Sequence, residues 1–471
     1  MSETSAVRVR VPGFWSSLRE AVMGTHQDFT EGSIGRAIVL LAVPMVLEMC
    51  MESLFGVVDV FWVAHLGADA ITTVGLTETC MTVLYCIALG LGMGATALVA
   101  RRTGEKDEAA AGLVAMQAIV AGLLIAAVTA FAGSAAAPRL LRLMGGSDQV
   151  VQAGAGYTRM MFAGSATIFL LFLTNAVLRG AGDAATAMRA LWIANIVNIC
   201  VNPCFIFGIG PFPKLGVTGS AVGTTIGRGI GVLFQLWVLS SARTRLKIGA
   251  RQLRLDLRVM ARMVRLSFSA IIQYLVQMAS WIGIVRIMAS FGSDAVAANT
   301  LAIRVIVFAL LPSWGMSNAA ATLVGQNLGA GRPERAEKSA WRTGLYNAVF
   351  LGGVGVIFIV FAHQIIALFT TDPAVAPLAA EGLRVLSYGY VSYAYGMVIT
   401  AAFNGAGDTT TPTLLNLFCF WICQLPAAWL LAFHTGLGPR GVFFAVVTGD
   451  TLLAVTSILL FRRGRWKKTV V

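Results

Sequence analysis

Between Ala37 and Phe461 the sequence passes through twelve mainly apolar stretches, at about 37–62, 70–99, 110–132, 155–178, 188–209, 217–240, 264–290, 295–324, 341–363, 382–404, 412–434 and 441–462. Each can cross a hydrocarbon layer, which takes roughly 20 apolar residues per helix. Lipid offers no hydrogen bonds, so a spanning backbone must satisfy itself in helices or in a closed barrel. The two-residue alternation of barrel strands is absent. The expected fold is therefore an all-α polytopic membrane protein with twelve transmembrane helices. Composition agrees, since 57% of the 471 residues are hydrophobic and 12% charged, too apolar for a soluble domain.

A formal charge of +13 suggests nucleic acid as a partner until the basic residues are placed. They gather at the N-terminus, on alternate connections and in the C-terminal tail, while the other six connections hold only Arg139, Arg142, Lys214 and Arg440. This asymmetry predicts both termini in the cytoplasm and a plasma-membrane protein whose basic loops face anionic lipid, not nucleic acid. Residues 1–36 carry no continuous apolar core ahead of a cleavage site, so the first span is expected to act as the insertion signal. "FWSSLREAVMG" reads equally as a short surface helix or an irregular tail. In "RQLRLDLRVMARMVR", Arg251, Arg254, Arg258, Arg262 and Arg265 lie three or four residues apart beside Leu253, Leu257, Met260 and Val264. That spacing predicts a basic interfacial linker over 243–263.

The linker separates two copies of one unit. "LRGAGDAATAM" from Leu178 and "FNGAGDTTTPT" from Phe403 are 225 residues apart, and the same shift aligns "HLGADAI" with "SFGSDAV", Gly104 with Gly329, and Gly216 with Gly441. A constant register across the chain means duplication. Six spans per copy is an even number, so the copies are parallel and related by an axis along the membrane normal. The predicted organisation is a cytoplasmic segment 1–36, an N-lobe 37–242, the linker 243–263, a C-lobe 264–462 and a basic cytoplasmic tail 463–471. A central cavity lies between the six-helix lobes of a monomer.

The cavity's chemistry must supply the function. The chain has no Gly-Lys dipeptide and hence no P-loop. The four histidines lack metal-ligand spacing, and the Cys-x3-Cys pairs Cys200/Cys204 and Cys419/Cys423 read as small packing residues. "GLGMGA" at 90–95 lacks the strand of a nucleotide loop and reads as small residues at a helix crossing. No catalytic triad or hydrolytic metal site is present, and no cofactor is called for. Five acids lie inside spans: Glu48, Glu52, Asp59, Glu78 and Asp450. Such a charge costs about 2.5–3.5 kcal/mol at the bilayer centre, so it usually marks an ion or substrate path. At 100° per residue, Glu48, Glu52 and Asp59 share one helical stripe about 16 Å long. The 225-residue shift maps them to Gln273, Gln277 and Ile284, so the acids belong to the N-lobe alone. This favours a proton or cation site there over structural helix pairing. Asn195, Asn198 and Asn202 on the fifth span form a second polar stripe able to meet the first. Pro44 removes one helical hydrogen bond from the first span and adds flexibility.

"DFTEGSIGRAIVLLAVPMVLE", "GVVDVFWVAHLG", "ATALVARRTGE", "LRGAGDA", "IVNICVNPCFIFG" and "LVGQNLGAGRPERAEKSA" occur in this order. Over residues 28–463 the chain resembles the multidrug and toxic compound extrusion (MATE) family. The resemblance implies a V-shaped twelve-helix secondary transporter that exports organic cations and other amphipathic compounds in exchange for protons or sodium. It implies that Asp59 matches the first-helix acid coupled to the cation and Asn198 the fifth-helix asparagine. Asn202 stands where some proton-coupled relatives have an aspartate. Gln273 and Gln277 on the seventh span, and Tyr388, Tyr390, Tyr393 and Tyr395 on the tenth, stand around places where some sodium-coupled relatives have acids. Coupling then rests on Asp59 with help from Glu48 or Glu52, and the choice between H+ and Na+ stays open. Asn195, Gln273, Gln277, Trp281 and Tyr393 are the candidate substrate contacts, with Trp62, Trp281, Trp314 and the tyrosines offering cation-π faces. The alternative is a flippase for lipid-linked precursors, for which Arg228, Arg286 and Arg304 would have to converge on the cavity. A non-transporting receptor or channel is the third reading.

Overall fold

The computed structural model describes residues 14–24, 27–241, 246, 248, 249 and 252–470, and no strand occurs among them. A short helix α1 (Phe14–Met23) precedes α2 (Ile34–Ala64), α3 (Ala68–Gly104), α4 (Glu108–Leu143), α5 (Asp148–Ala163), α6 (Ser165–Ala181), α7 (Ala184–Phe207) and α8 (Val217–Ser240). The second half has α9 (Leu257–Ala289), α10 (Ser293–Gly329), α11 (Pro333–Ala367), α12 (Ala376–Tyr388), α13 (Tyr390–Gly405), α14 (Thr410–Asn416), α15 (Leu425–His434) and α16 (Pro439–Arg462). All twelve predicted spans fall on these helices, giving the two-lobe all-α fold expected.

Two spans are not single rods. The fourth is α5 and α6, bent by 40° at Gly164. The tenth is α12 and α13, interrupted at Gly389, the residue 225 positions on. The eleventh passes through a π-helical stretch, Leu417–Gln424, between α14 and α15. The predicted linker also differs. α9 begins at Leu257, capped by the Asp256 carboxylate accepting from the Arg258 and Val259 N–H groups. Arg258, Arg262 and Arg265 therefore ride on the seventh span and Arg254 precedes it, because the cap starts the helix there. Arg251 and residues 242–245, 247 and 250 lie outside the described residues.

The lobes meet through glycines that obey the repeat. A methyl on Gly90 (α3) would sit 2.6 Å from the Ile271 backbone nitrogen (α9), and one on Gly315 (α10) 2.7 Å from the Val46 nitrogen (α2). Ile271 is Val46 shifted by 225. Farther toward the N-terminal side, a methyl on Gly104 would overlap the Gln326 carbonyl, and one on Gly329 the Arg101 carbonyl, again a pair related by 225. Small residues let helices approach this closely in a bilayer, where no hydrophobic effect draws them together. The glycine-rich run at 90–95 is thus a helix crossing. Beyond these crossings α2 is less covered: Ile38, Leu41 and Met45 are buried, whereas Leu54, Val57, Val60 and Phe61 are exposed and Phe55 and Val63 stay buried. The close glycine contacts shut the lobes together on the side bearing the termini.

Both terminal segments strap that closed side. Arg332 donates to the Thr30 carbonyl (2.6 Å) and pairs with Glu31 (3.1 Å), and Arg335 donates to the Gly32 (2.9 Å) and Glu31 (2.8 Å) carbonyls. Asp28 pairs with Lys106 (3.3 Å). Burial raises the Asp28 pKa, but hydrogen bonds from Thr30 and the Lys106 charge outweigh it, so the carboxyl lies below its ordinary value. Lys106 is the one non-glycine with positive φ (61°) among the described residues, and its repeat partner is Gly331 (68°). From the other end, Trp466 is buried against Phe461, Lys467 pairs with Glu337 (2.5 Å), and Arg101 of the N-lobe donates to the Thr469 carbonyl. Helix α1, placed between two readings by sequence, packs on the N-lobe through Arg36–Glu20 (2.6 Å) and the buried Ala21.

Candidate functional site

Helix α8 presents Gly219, Gly223, Gly227 and Gly231 at four-residue intervals, one ridge along a helix. Their absent side chains admit α7. A methyl on Gly219 would lie 2.7 Å from the Ile206 nitrogen, on Gly223 3.0 Å from the Asn202 Cα, and on Gly227 3.1 Å from the Asn198 Cβ. This contact fixes Asn198 and Asn202 beside Thr224, facing α2.

Asp59 completes the cluster. Its Oδ1 accepts from Asn198 Nδ2 (3.1 Å) and Asn202 Nδ2 (2.6 Å), and its Oδ2 from Thr224 Oγ1 (2.9 Å). Asn198 Nδ2 also donates to Thr224 Oγ1 (3.2 Å). Three neutral donors hold the carboxylate, each a charge-assisted bond. The Oδ1 atoms of Asn198 and Asn202 are buried and accept no hydrogen bond from the described residues. A carboxylate, a hydroxyl and two unused amide oxygens make the oxygen-rich set that suits a hard cation. No group of three or more acids, histidines and cysteines able to hold a metal occurs among the described residues.

Beside this cluster lies an N-lobe cavity of about 210 Å³. Glu52, Asp59 and Glu78 bring three carboxylates to its wall, with Tyr85, Tyr157 and Arg228. The Arg228 guanidinium lies over the Phe55 ring (4.9 Å) and donates to the Tyr85 hydroxyl (3.2 Å). Glu78, Thr224, Tyr85 and Tyr157 are absent from the sequence-derived site.

Other candidates fall elsewhere. Glu48 shares the helical stripe of Glu52 and Asp59 but is 1% exposed, and its Oε1 accepts from Arg179 (2.7 Å) while Oε2 has no partner. It thus joins a buried ion pair. Asn195 donates to the Met51 and Leu191 carbonyls (3.1 Å each), bracing α7 against α2. Gln273 is buried with its Oε1 unpaired, and Gln277 is exposed farther along α9. Trp281 is half-buried on the same helix. Tyr393 packs in the C-lobe core beside Trp314. Asp59, Asn198 and Asn202 are brought together; Gln273, Gln277, Trp281 and Tyr393 stay on the C-lobe. Arg286 and Arg304 are exposed and make no ion pair among the described residues.

Two parallel six-helix lobes joined on one side, with an acid-lined cavity inside the N-lobe, define a multi-pass membrane transporter. The MatE family model matches residues 44–204 and 266–430, and the chain belongs to that family. It is 29% identical to the probable multidrug resistance protein YoeA of Bacillus subtilis, over 94% of this chain and 96% of that one. It is 25% identical to the probable multidrug resistance protein NorM of Thermotoga maritima, over 93% and 94%. A solved MOP-superfamily transporter from Pyrococcus furiosus superposes with a TM-score of 0.86 at 27% identity, covering 94% of this chain and 98% of that one.

Proposed function

We propose that this protein exports cationic and amphipathic small molecules across the plasma membrane as a proton- or sodium-driven antiporter. The Asp59 cluster carries this reading. In its present state three neutral donors satisfy the charged carboxylate. A 180° turn of the Asn198 or Asn202 amide would put an oxygen against it, an arrangement that repels unless a proton or a metal cation lies between. Ion occupancy thereby rearranges α7 and α8 relative to α2, and a rearranged N-lobe is what rocks the lobes in alternating access. Cation and cargo compete for the negative cavity, so loading one releases the other.

The multidrug names of the full-length relatives support the cargo class. In this reading the basic loops put the closed side in the cytoplasm, and cargo leaves through the opposite face. Neither cofactor nor catalysis is required, and a monomer suffices. A flippase gripping pyrophosphate needs converging arginines; here one arginine faces three carboxylates, which favours the exporter. Proteoliposomes loaded with ethidium test it. An imposed proton or sodium gradient should drive efflux without ATP, and efflux indifferent to both gradients would refute the reading.

A further inference from the structure

The two copies of the repeat differ where α1 docks. In the N-lobe, Ala21 of α1 shares a core cluster with Ala37 and Leu40 of α2 and Ala184 of α7, and a methyl on Gly24 would lie 3.4 Å from the Ala185 Cβ. Shifted by 225, Ala37, Leu40, Ala184 and Ala185 become Arg262, Arg265, Thr409 and Thr410. The residues that correspond to α1 do not cover them: Leu239, Leu246 and Ile248 pack instead in the N-lobe core with Ala111 and Val114. What remains between α9 and α14 is a cavity of about 390 Å³, walled by the two arginines, the two threonines and Ser269, with Val470 of the tail beside them. That volume lies in the range of ligand sites, roughly 300–1,000 Å³.

The donors of this cavity are unused by the protein. Neither guanidinium, nor the Ser269 or Thr410 hydroxyl, has a hydrogen bond or ion pair among the described residues. Thr409 Oγ1 donates to the Leu266 carbonyl (3.0 Å) and Thr413 Oγ1 to the Ser269 carbonyl (2.8 Å), which ties α14 to α9 and fixes the wall. The adjoining acid, Asp408, accepts from the Thr411 N–H (3.1 Å) and Oγ1 (2.7 Å) and is no part of that wall. Two forked cations with two hydroxyl donors suit a phosphate group. Farther along the same helices, Phe268 and Leu414 are exposed and apolar, a path for chains attached to that phosphate and of no use to a free anion. We propose that this cavity binds the phosphodiester headgroup of an anionic phospholipid, seated on the C-lobe where α1 is seated on the N-lobe. The basic loops assign this side to the cytoplasm, whose leaflet carries the anionic lipid. The site goes beyond the export reading and needs none of its cargo chemistry.

The test offers the detergent-purified full chain equal amounts of phosphatidylglycerol and phosphatidylcholine with the same acyl chains, and identifies the lipid that stays bound by native mass spectrometry. Wild type should retain phosphatidylglycerol about tenfold or more over phosphatidylcholine, since each arginine near an anionic headgroup adds to the attraction. Arg262→Gln/Arg265→Gln should lose the preference, and so should Thr410→Trp, which keeps both charges and fills the cavity. Lys338→Gln/Arg342→Gln, two exposed cations on the same side, should keep it. Inorganic phosphate, compared with chloride at equal ionic strength, should displace none of the bound lipid. Equal retention of the two lipids by wild type overturns the inference even if no variant folds. A preference unchanged in Arg262→Gln/Arg265→Gln, or lost equally in Lys338→Gln/Arg342→Gln, overturns it as well. Displacement by phosphate alone marks a soluble-anion site and overturns the lipid assignment.

Discussion

Glu48 and Arg179 give the sharpest test of how buried charge is used here. The pair is direct, at 2.7 Å, with side-chain exposures of 2% and 12%. The Arg179 carbonyl in turn accepts from Thr322 of the C-lobe (3.2 Å), so the pair stands where the lobes are joined. Arg179→Met removes the only partner, among the described residues, of a carboxylate that cannot reach water. Breaking a buried pair from one side costs about 3–5 kcal/mol, whereas replacing both partners by apolar groups is often neutral or stabilising. Unfolding free energies in mixed micelles should therefore fall by that amount for Arg179→Met and recover most of it in Glu48→Met/Arg179→Met. The double variant should also keep gradient-driven ethidium efflux, because Asp59 and its donors are untouched. Additive losses would refute the pairing. A stable double variant without efflux would return Glu48 to the coupling machinery, the role its position on the stripe first suggested.

Three other expectations follow from the same geometry. Gly104→Val forces a side chain into the Gln326 carbonyl, so the closed side should part, and cysteine cross-linking across it should fall severalfold. Thr224→Val removes one of three donors that hold the ion-free Asp59 carboxylate, worth about 1.5–3 kcal/mol for a bond to a charged group, and should strengthen apparent affinity for a coupling proton roughly tenfold or more. The strap depends on Asp28 being charged: its folded pKa is depressed, so its contribution is present above the unfolded value of about 3.9 and lost as pH falls through the folded one. Proteolysis of residues near Gly24 should increase only at the acid end, and Asp28→Asn should show the increase at neutral pH.

The spans and the duplication were legible because length and a constant 225-residue register survive in sequence. The breaks at Gly164 and Gly389 were not, since one glycine inside an apolar run carries no distinct signal until the copies are superposed. Asp59, Asn198 and Asn202 were legible as stripes on two helices. Their meeting depended on the glycine ladder of α8, which a search for four-residue glycine spacing would have flagged, and which also brings in Thr224. Glu48 shows the limit of helical angle as a guide. It shares a face with Asp59, yet eleven residues along the helix it meets α6 instead of α7 and α8, so its chemistry is an ion pair. The start of the seventh helix was not legible in the arginine stripe, because Asp256 caps it at Leu257 where the sequence pattern runs on unbroken.

The central claim is that Asp59, held by Asn198, Asn202 and Thr224, converts an ion gradient into export. Ethidium efflux from proteoliposomes carrying wild type or Asp59→Asn, under a proton gradient and separately under a sodium gradient, measures this directly. The account predicts efflux driven by one gradient in the wild type and none above leak in Asp59→Asn, with the variant folded and still binding ethidium. Undiminished gradient-driven efflux in Asp59→Asn would contradict it.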